Sequence, residues 1–315
     1  MASRTMAQRV GTKQAGEARL YAGPPRACER EGLFALERQG ENRFVSPPLP
    51  SALIRLYGGQ VVAQALMAAQ HTVASGKWPA HCHAMFQTPG NIAKPISYDI
   101  ERDSDGRSFS ARRIVARQGD AIVLAMNAMF HAEEPGAPTH GAAMPDVPPP
   151  EDLPAMEDVL HASDELAERH EPFWLRDHMF EWRPVQTFRI NDRPPEPGVQ
   201  QFWVRLKEPW DGPAADHFAL LAYMTDLHLL HVGLAPLGIG FAADRLQTAS
   251  LDHSMWFHRP ARLDDWMLYA LTSPSAAQSI ALGTGNLFTR DGEIVASTAQ
   301  SGLIRLLDEA RVGRL

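Results

Sequence analysis

The chain contains the same pattern twice: a helical segment that is apolar on nearly all sides, followed by four strand-like runs. In the first half, Ala, Leu and Met favour a helix over residues 61–69, just after Gly58-Gly59. A helix that is apolar all round must be enclosed by other elements. The runs that follow it are residues 80–88, 96–103, 107–117 and 121–132. Turn residues at Asp105-Gly106 and Gly119-Asp120 predict antiparallel hairpins between the last three runs.

The second half repeats this order. A helix is predicted over residues 217–232, which Asp211 and Pro213 could start as cap and first-turn residue. The strand-like runs are residues 247–258, 266–274, 280–290 and 293–305. In both halves a Gly/Asp turn leads into an Ile-Val strand that closes the half. We interpret the chain as a duplication. A single α+β domain is the alternative, but two modules suit two long helices better.

The 315 residues suffice for two domains of roughly 100–150 residues each. Proline clusters between the halves, and this composition is typical of an extended linker. We therefore predict a disordered tail over residues 1–28, a first module over 29–135, a linker with a surface helix (155–169) over 136–178, and a second module over 179–310. A further strand is predicted from Phe180 to Ile190.

Composition excludes several classes of protein. Hydrophobic residues make up 44% of the chain and charged residues 21%, as in soluble globular proteins. A net charge of −7 argues against a nucleic-acid partner. No run approaches the ~18 apolar residues of a membrane span. The two cysteines, Cys28 and Cys82, are too few for a disulfide framework or a thiolate zinc site, so we expect a reducing, cytoplasmic location.

Three polar residues stand out because of their apolar surroundings. Asp226 lies in a helical run beside Ala222, Leu229 and Leu230, where a carboxylate needs hydrogen-bond partners. Gln300 lies in a strand suited to a core, and the matching place in the first half is Ala128. The structural interpretation of Asp226 is a helix-end cap or a buried hydrogen bond.

Ser250 is the third of these residues. Period-two alternation predicts that Ser250, Asp252 and Ser254 share one face of a strand, which could simply be solvated. A carboxylate, a hydroxyl and an amide are nevertheless sufficient to hold a water and direct it at a carbonyl. No phosphate-binding loop, GxSxG elbow or HExxH motif is present, and the 13 histidines are scattered without the spacing of a metal site.

Four motifs follow one another along the chain, and they are Gly58-Gly59-Gln60-Val61-Val62-Ala63-Gln64-Ala65, Pro95-Ile96-Ser97-Tyr98-Asp99-Ile100, Ser108-Phe109-Ser110-Ala111-Arg112-Arg113 and Leu251-Asp252-His253-Ser254-Met255-Trp256-Phe257-His258-Arg259-Pro260. In these motifs and in their order the chain resembles the acyl-CoA thioesterase II family, from about residue 29 to residue 306. The resemblance implies an α+β double hotdog fold, in which two antiparallel sheets each wrap around a long apolar helix.

The resemblance also implies hydrolysis of fatty acyl-CoA to free fatty acid and CoA by an activated water. The family's aspartate, hydroxyl residue and glutamine fall on Asp226, Ser250 and Gln300. A family histidine falls on His83. The arginine that usually follows it is missing, because Gln87-Thr88-Pro89-Gly90 replaces Leu-Arg-Pro-Gly.

The remaining expectations concern the substrate and the partners. Arg112, Arg113 and Arg259 could bind the CoA phosphates, although arginines in strands often only pair with carboxylates. Backbone amides near Gly58-Gly59 are candidate donors to the oxyanion. We expect no cofactor, no metal and no covalent intermediate. Because hotdog sheets have edges that invite pairing, we expect a homo-oligomer.

Two alternatives remain open. A hotdog-type enoyl-CoA hydratase would use a neighbouring Asp and His, for which Asp226-Leu227-His228 is the nearest candidate. A non-catalytic acyl-CoA-binding module would keep the arginines and the apolar tunnel, but would tolerate the loss of Asp226 or Gln300.

Overall fold

A computed structural model describes residues 32–48, 55–162, 179–243 and 245–307. The predicted N-terminal tail, the part of the linker helix beyond Ala162 and the last residues of the second module lie outside these ranges.

The described chain has an α+β fold with antiparallel strands, as the strand pattern predicts, but these strands form one large sheet rather than the two sheets that the resemblance implies. Its strands are β1 (Glu37–Arg38), β2 (Arg43–Ser46), β3 (Lys77–Phe86), β4 (Ile96–Asp105), β5 (Phe109–Gln118), β6 (Ala121–Ala132), β7 (Phe180–Pro184), β8 (Val199–Leu206), β9 (Leu246–Ser250), β10 (Asp252–Phe257), β11 (Met267–Ala277), β12 (Ile280–Thr289) and β13 (Ile294–Leu306). Its α-helices are α1 (Gly58–Gln70), α2 (Met156–Ala162), α3 (Asp216–Thr225) and α4 (His231–Leu234). None of the described helices has the length and apolar character needed to cross a membrane.

The two halves share one sheet because their central strands pair with each other. The strand order is β1-β2-β4-β5-β6-β3-β10-β13-β12-β11-β8-β7, and β9 pairs with β13. At the junction, β3 and β10 run antiparallel, with His83 opposite Ser254 and Cys82 opposite Met255. Backbone hydrogen bonds therefore continue from the first half into the second.

Most of the described strands follow the sequence pattern. The run 247–258 is divided into β9 and β10, and the predicted strand 180–190 ends at Pro184. Three strands, β1, β2 and β8, were not predicted. The linker helix is not purely a surface element, because Met156 and Leu160 on α2 are buried.

The second long helix ends earlier than its apolar run predicts. It stops at Thr225, Asp226 is its C-cap, and His228 adopts a left-handed backbone with φ of 64°. The following segment lies directly on the sheet, because a Cβ added at Gly302 would clash with the Leu230 side chain. Apolar composition alone could not separate a longer helix from a chain that turns and packs against strands.

The N-terminus of α1 lies beside the C-terminal part of α3. The Tyr57 hydroxyl donates to the Tyr223 carbonyl at 2.7 Å. A Cβ on Gly59 would lie 2.5 Å from that same carbonyl oxygen, so the absence of a side chain permits the approach. This contact between the halves brings the first turn of α1 to Asp226.

Candidate active site

Asp226 is held between the ends of two helices. Its Oδ2 accepts the backbone N–H of Gly59 at 2.7 Å, in the first turn of α1. The first amides of a helix carry a partial positive charge and favour a carboxylate there. The side chain is only partly buried, so water can reach it. A carboxylate from the second half is thus fixed by the backbone of the first half.

Gln300 joins Asp226 to Ser250. It is completely buried, and its Nε2 donates to Asp226 Oδ1 at 2.9 Å and to Ser250 Oγ at 2.7 Å. Ser250 Oγ lies 3.4 Å from the same Asp226 oxygen. The structure therefore brings the three residues that the sequence singled out into one polar cluster. Their catalytic role stays a prediction.

A β-bulge at Leu251 aims Ser250 into this cluster. Ser250 opposes Gly302 whereas Ser254 opposes Ala299, so β9–β10 advances four residues while β13 advances three. The predicted alternation of Ser250, Asp252 and Ser254 on one face is therefore wrong: Asp252 lies on the other face, where it accepts the backbone N–H and the hydroxyl of Ser301. An extra residue reverses the facing of all side chains beyond it, and bulges often re-aim side chains at active sites.

His253 extends the cluster into the core. The ring is fully buried, with Nδ1 3.0 Å from Gln300 Oε1 and Nε2 3.1 Å from Thr225 Oγ1. Burial lowers the pKa of His253, although the nearby carboxylate of Asp226 acts in the opposite direction. The sequence pattern gave this histidine no role. Only the strand register, which places it beside Gln300, reveals the contact.

The described residues of the first half hold no counterpart of the cluster. There the register places Cys82 opposite Ala128, whereas in the second half the same register places His253 opposite Gln300. Burial raises the pKa of the Cys82 thiol to about 12, which makes it a poor nucleophile. Gln64 on α1 is buried in a structural network, in which it donates to the Ser46 hydroxyl and accepts from a tyrosine.

The arginines that were predicted to bind CoA phosphates contact carboxylates and other protein oxygens in the structure. Arg112 is buried, and all five of its N–H groups point at protein oxygens, among them both oxygens of Thr72 and the Asp105 carboxylate. Arg113 pairs with carboxylates on β4, and Arg259 lies 2.6 Å from Glu293. The structure does not bring these three arginines to Asp226, and their contact with substrate stays a prediction.

Two further candidates, His83 and the Gly59 amide, are not placed to act on a substrate beside Gln300. His83 lies on the opposite face of the sheet from Gln300, with its ring 5.2 Å from that of Trp256. The Gly59 N–H is already engaged by Asp226, so it is not the free donor that an oxyanion would need. Among the described residues, no group of three or more His, Cys, Asp or Glu could hold a metal ion.

Comparisons with known proteins show the family to which the chain is similar. A family model for acyl-CoA thioesterase matches residues 178–303, and one for an acyl-CoA thioesterase N-terminal domain matches residues 45–131. Acyl-CoA thioesterase 2 of Haemophilus influenzae is 34% identical over 274 residues, which is 87% of this chain and 96% of that protein.

Solved structures give the same result. An acyl-CoA thioesterase II from Mycobacterium marinum is 32% identical, with a TM-score of 0.71 over 89% of this chain and 98% of that chain. A hot dog fold protein of unknown function from Alicyclobacillus acidocaldarius is 18% identical, also with a TM-score of 0.71, over 88% of this chain and 98% of that chain. The second similarity concerns the fold alone.

Proposed function

The chain belongs to the acyl-CoA thioesterase II family and hydrolyses acyl-CoA thioesters, and on this premise we propose that Asp226, Ser250 and Gln300 activate the attacking water. The observation that carries the proposal is the Gln300 amide, which donates to both other residues at 2.9 and 2.7 Å. A buried amide with two such partners fixes their separation, as a water-activating site requires.

The chemistry follows from the two oxygens of Asp226. Oδ2 is held by the Gly59 N–H, and Oδ1 faces Gln300 and Ser250. A water that enters the cluster donates a hydrogen bond to Oδ1 and is oriented by the Ser250 hydroxyl, while the two N–H groups of the Gln300 amide hold Oδ1 and that hydroxyl in place. As its oxygen attacks the thioester carbonyl, Asp226 takes the proton. The tetrahedral intermediate collapses, the C–S bond breaks, and the CoA sulfur leaves as a thiolate. General-base assistance of this kind is worth about 10²–10⁴ in rate.

The hydratase alternative is less well supported by the contacts around Asp226. Its candidate histidine, His228, has its ring stacked 4.5 Å from that of Phe202 and edge-on to that of Trp182 at 4.6 Å. That ring belongs to an aromatic cluster, whereas Asp226 bonds Gly59 and Gln300. The non-catalytic alternative would give binding of acyl-CoA without release of free CoA.

We extend the proposal to the architecture and the acyl chain. Each half forms a hotdog module with its strands around α1 or α3, divided as residues 29–135 and 179–310 and joined by a linker over 136–178. The strand order, which keeps β1–β6 on one side of the β3–β10 junction and β7–β13 on the other, and the fold likeness to a hot dog protein support this division. The apolar helices then provide a tunnel wall for a fatty acyl chain.

We further propose that the protein acts as a homo-oligomer in the cytoplasm. The outer face near the β3–β10 junction exposes apolar side chains, with Met85 60% and Trp256 38% exposed, and a second copy would cover them. Light scattering at micromolar concentration tests the assembly, and a monomer would contradict it.

The decisive experiment measures free CoA. The purified protein is mixed with palmitoyl-CoA and with an enoyl-CoA in the presence of a thiol reagent. Release of CoA from palmitoyl-CoA is expected, with a large loss in Gln300→Ala and little change in Asn286→Ala, which removes an amide that bonds Ser297 on the same sheet. Adding Ala128→Gln to Gln300→Ala should not restore turnover. Full turnover in a folded Gln300→Ala variant would overturn the proposed site.

A further inference from the structure

We propose that His253 is a positioning residue, which holds the Gln300 side-chain amide with its N–H groups directed at Asp226 and Ser250. The inference rests on the proposed role of Gln300. His253 touches neither Asp226 nor Ser250 through any hydrogen bond of the described residues. It acts through the amide oxygen, which lies 3.0 Å from its Nδ1.

The argument begins with the two orientations that a glutamine amide can take. Turned as the structure has it, Gln300 places Nε2 against two oxygens, Asp226 Oδ1 and Ser250 Oγ. Turned by half a rotation, it would place Oε1 against the Asp226 carboxylate, where two acceptors repel each other. The observed orientation is stable in the core only if Oε1 also meets a donor, because an unpaired buried acceptor is costly.

His253 supplies that donor if Nδ1 carries the proton. Gln300 Oε1 can only accept, so the 3.0 Å contact is a hydrogen bond only from Nδ1–H. In the neutral ring Nε2 is then an acceptor, and the Thr225 hydroxyl 3.1 Å away can donate to it. Hydrogen bonds therefore lead from Thr225 through His253 and Gln300 to Asp226, and each donor among them meets an acceptor.

Thr225 is placed to select this tautomer. Its backbone carbonyl accepts the Tyr269 hydroxyl at 3.0 Å, which fixes the end of α3 against β11. Its own hydroxyl also lies 3.3 Å from Met255 Sδ and 3.5 Å from the Ala222 carbonyl. A thioether is a weak acceptor and the carbonyl is distant, so the unprotonated Nε2 of His253 is the strongest acceptor within reach.

Burial also keeps the ring neutral. The pKa of His253 is lowered mainly by desolvation, and Asp226, the Gln300 oxygen and Asp252 oppose the shift. A neutral ring has one N–H, so its position matters. The opposite tautomer would direct a lone pair at Gln300 Oε1 and favour the turned amide.

The first half provides a natural comparison. Cys82 occupies the matching place on β3, opposite Ala128, and both are buried. An orienting histidine thus occurs in the half that has an amide to orient, and a small apolar pair fills the same space in the other half. The pair of His253 and Gln300 therefore belongs to the polar cluster, and the strand pairing that both halves share does not require it.

The first test removes the donor and then restores it. His253→Phe is expected to lower kcat by about 10- to 100-fold, as happens when the outer partner of a functional side chain is lost, with KM nearly unchanged. His253→Asn, whose amide N–H can replace Nδ1–H, should recover most of the loss. Cys82→Ala is the matched control and should leave kcat unchanged even if it lowers the melting temperature.

A second test does not depend on a variant that could fail to fold. The wild-type protein with nitrogen-15-labelled histidine should show the His253 proton on Nδ1 in a two-bond correlation spectrum.

A third test combines two substitutions. Thr225→Val should lower kcat when it is made alone, and it should have almost no further effect when it is added to His253→Phe. A proton on Nε2, additive effects of the two substitutions, or a folded His253→Phe with normal kcat would overturn the proposal. If Gln300→Ala is itself active, the proposed site fails instead, and the two failures are thereby distinguished.

Discussion

Asp226→Asn is the substitution that most directly tests the water-activating cluster, because it keeps the shape and removes the base. The carboxylate accepts at both ends, from the Gly59 N–H at 2.7 Å and from Gln300 Nε2 at 2.9 Å. An asparagine has one acceptor oxygen. If that oxygen faces Gly59, its NH₂ group meets the NH₂ group of Gln300, and if it faces Gln300, the NH₂ group meets the Gly59 N–H.

Either orientation loses one hydrogen bond and opposes two donors. The structure therefore predicts a loss of about 1–3 kcal/mol in the free energy of unfolding, the usual effect of one unsatisfied buried group. The loss in kcat should be larger, about 10²–10⁴, since no other carboxylate of the described residues faces the cluster. That ratio corresponds to about 2.7–5.5 kcal/mol of transition-state stabilisation.

Urea unfolding and CoA release separate the two effects. Asp226→Asn combined with Gln300→Glu restores an acceptor for the asparagine NH₂ group, so the double variant should be more stable than the sum of the single changes predicts. It should stay inactive, because residue 300 is completely buried whereas Asp226 is partly exposed. A folded Asp226→Asn variant with kcat within about tenfold of the wild type would refute the role of Asp226 as the base.

Three further predictions concern the surroundings of the site. Arg112→Met should cost about 3 kcal/mol or more in the free energy of unfolding by urea and leave KM unchanged, because its buried N–H groups serve protein oxygens; a raised KM with unchanged stability would instead support CoA binding. Ser250→Ala should lower kcat by roughly 3- to 10-fold, the value of one hydrogen bond, while Ser250→Thr should keep it; equal rates in both variants would remove the hydroxyl from the mechanism. Burial lowers the pKa of His231 to about 3, so below pH 6.5 the unfolded chain binds a proton that the folded chain refuses, and stability falls as the pH drops towards 3. This residue contributes about 1.4 kcal/mol per pH unit in that range, and His231→Gln should flatten the slope of urea stability between pH 6.5 and 4.5; an unchanged slope would contradict the assignment.

Local patterns in the sequence were sufficient for most strands and for the residues of the cluster. Hairpin turns, period-two alternation and an all-apolar helix are short-range signals, and they place α1 and the closing strands β6 and β13 within a few residues. Asp226 and Gln300 could be singled out because a polar group in an apolar run needs a partner. That requirement indicates that a partner exists, but not which one it is.

The tertiary structure decided which groups meet. Gly59 and Asp226 are 167 residues apart in the chain, and their hydrogen bond depends on how α1 packs against the end of α3. The bulge at Leu251, which turns Ser250 towards Gln300, depends on register against β13 and leaves no signature in local composition.

The sequence alone determined the duplicated α+β pattern, the closing strands of each half and the residue types of the site, because burial and period act on neighbouring residues. Only the folded chain determined that His253 contacts the Gln300 amide and that the first half holds the Asp226 carboxylate. Such contacts arise from strand register and helix packing, which are set by the shape of the whole core and by no single segment.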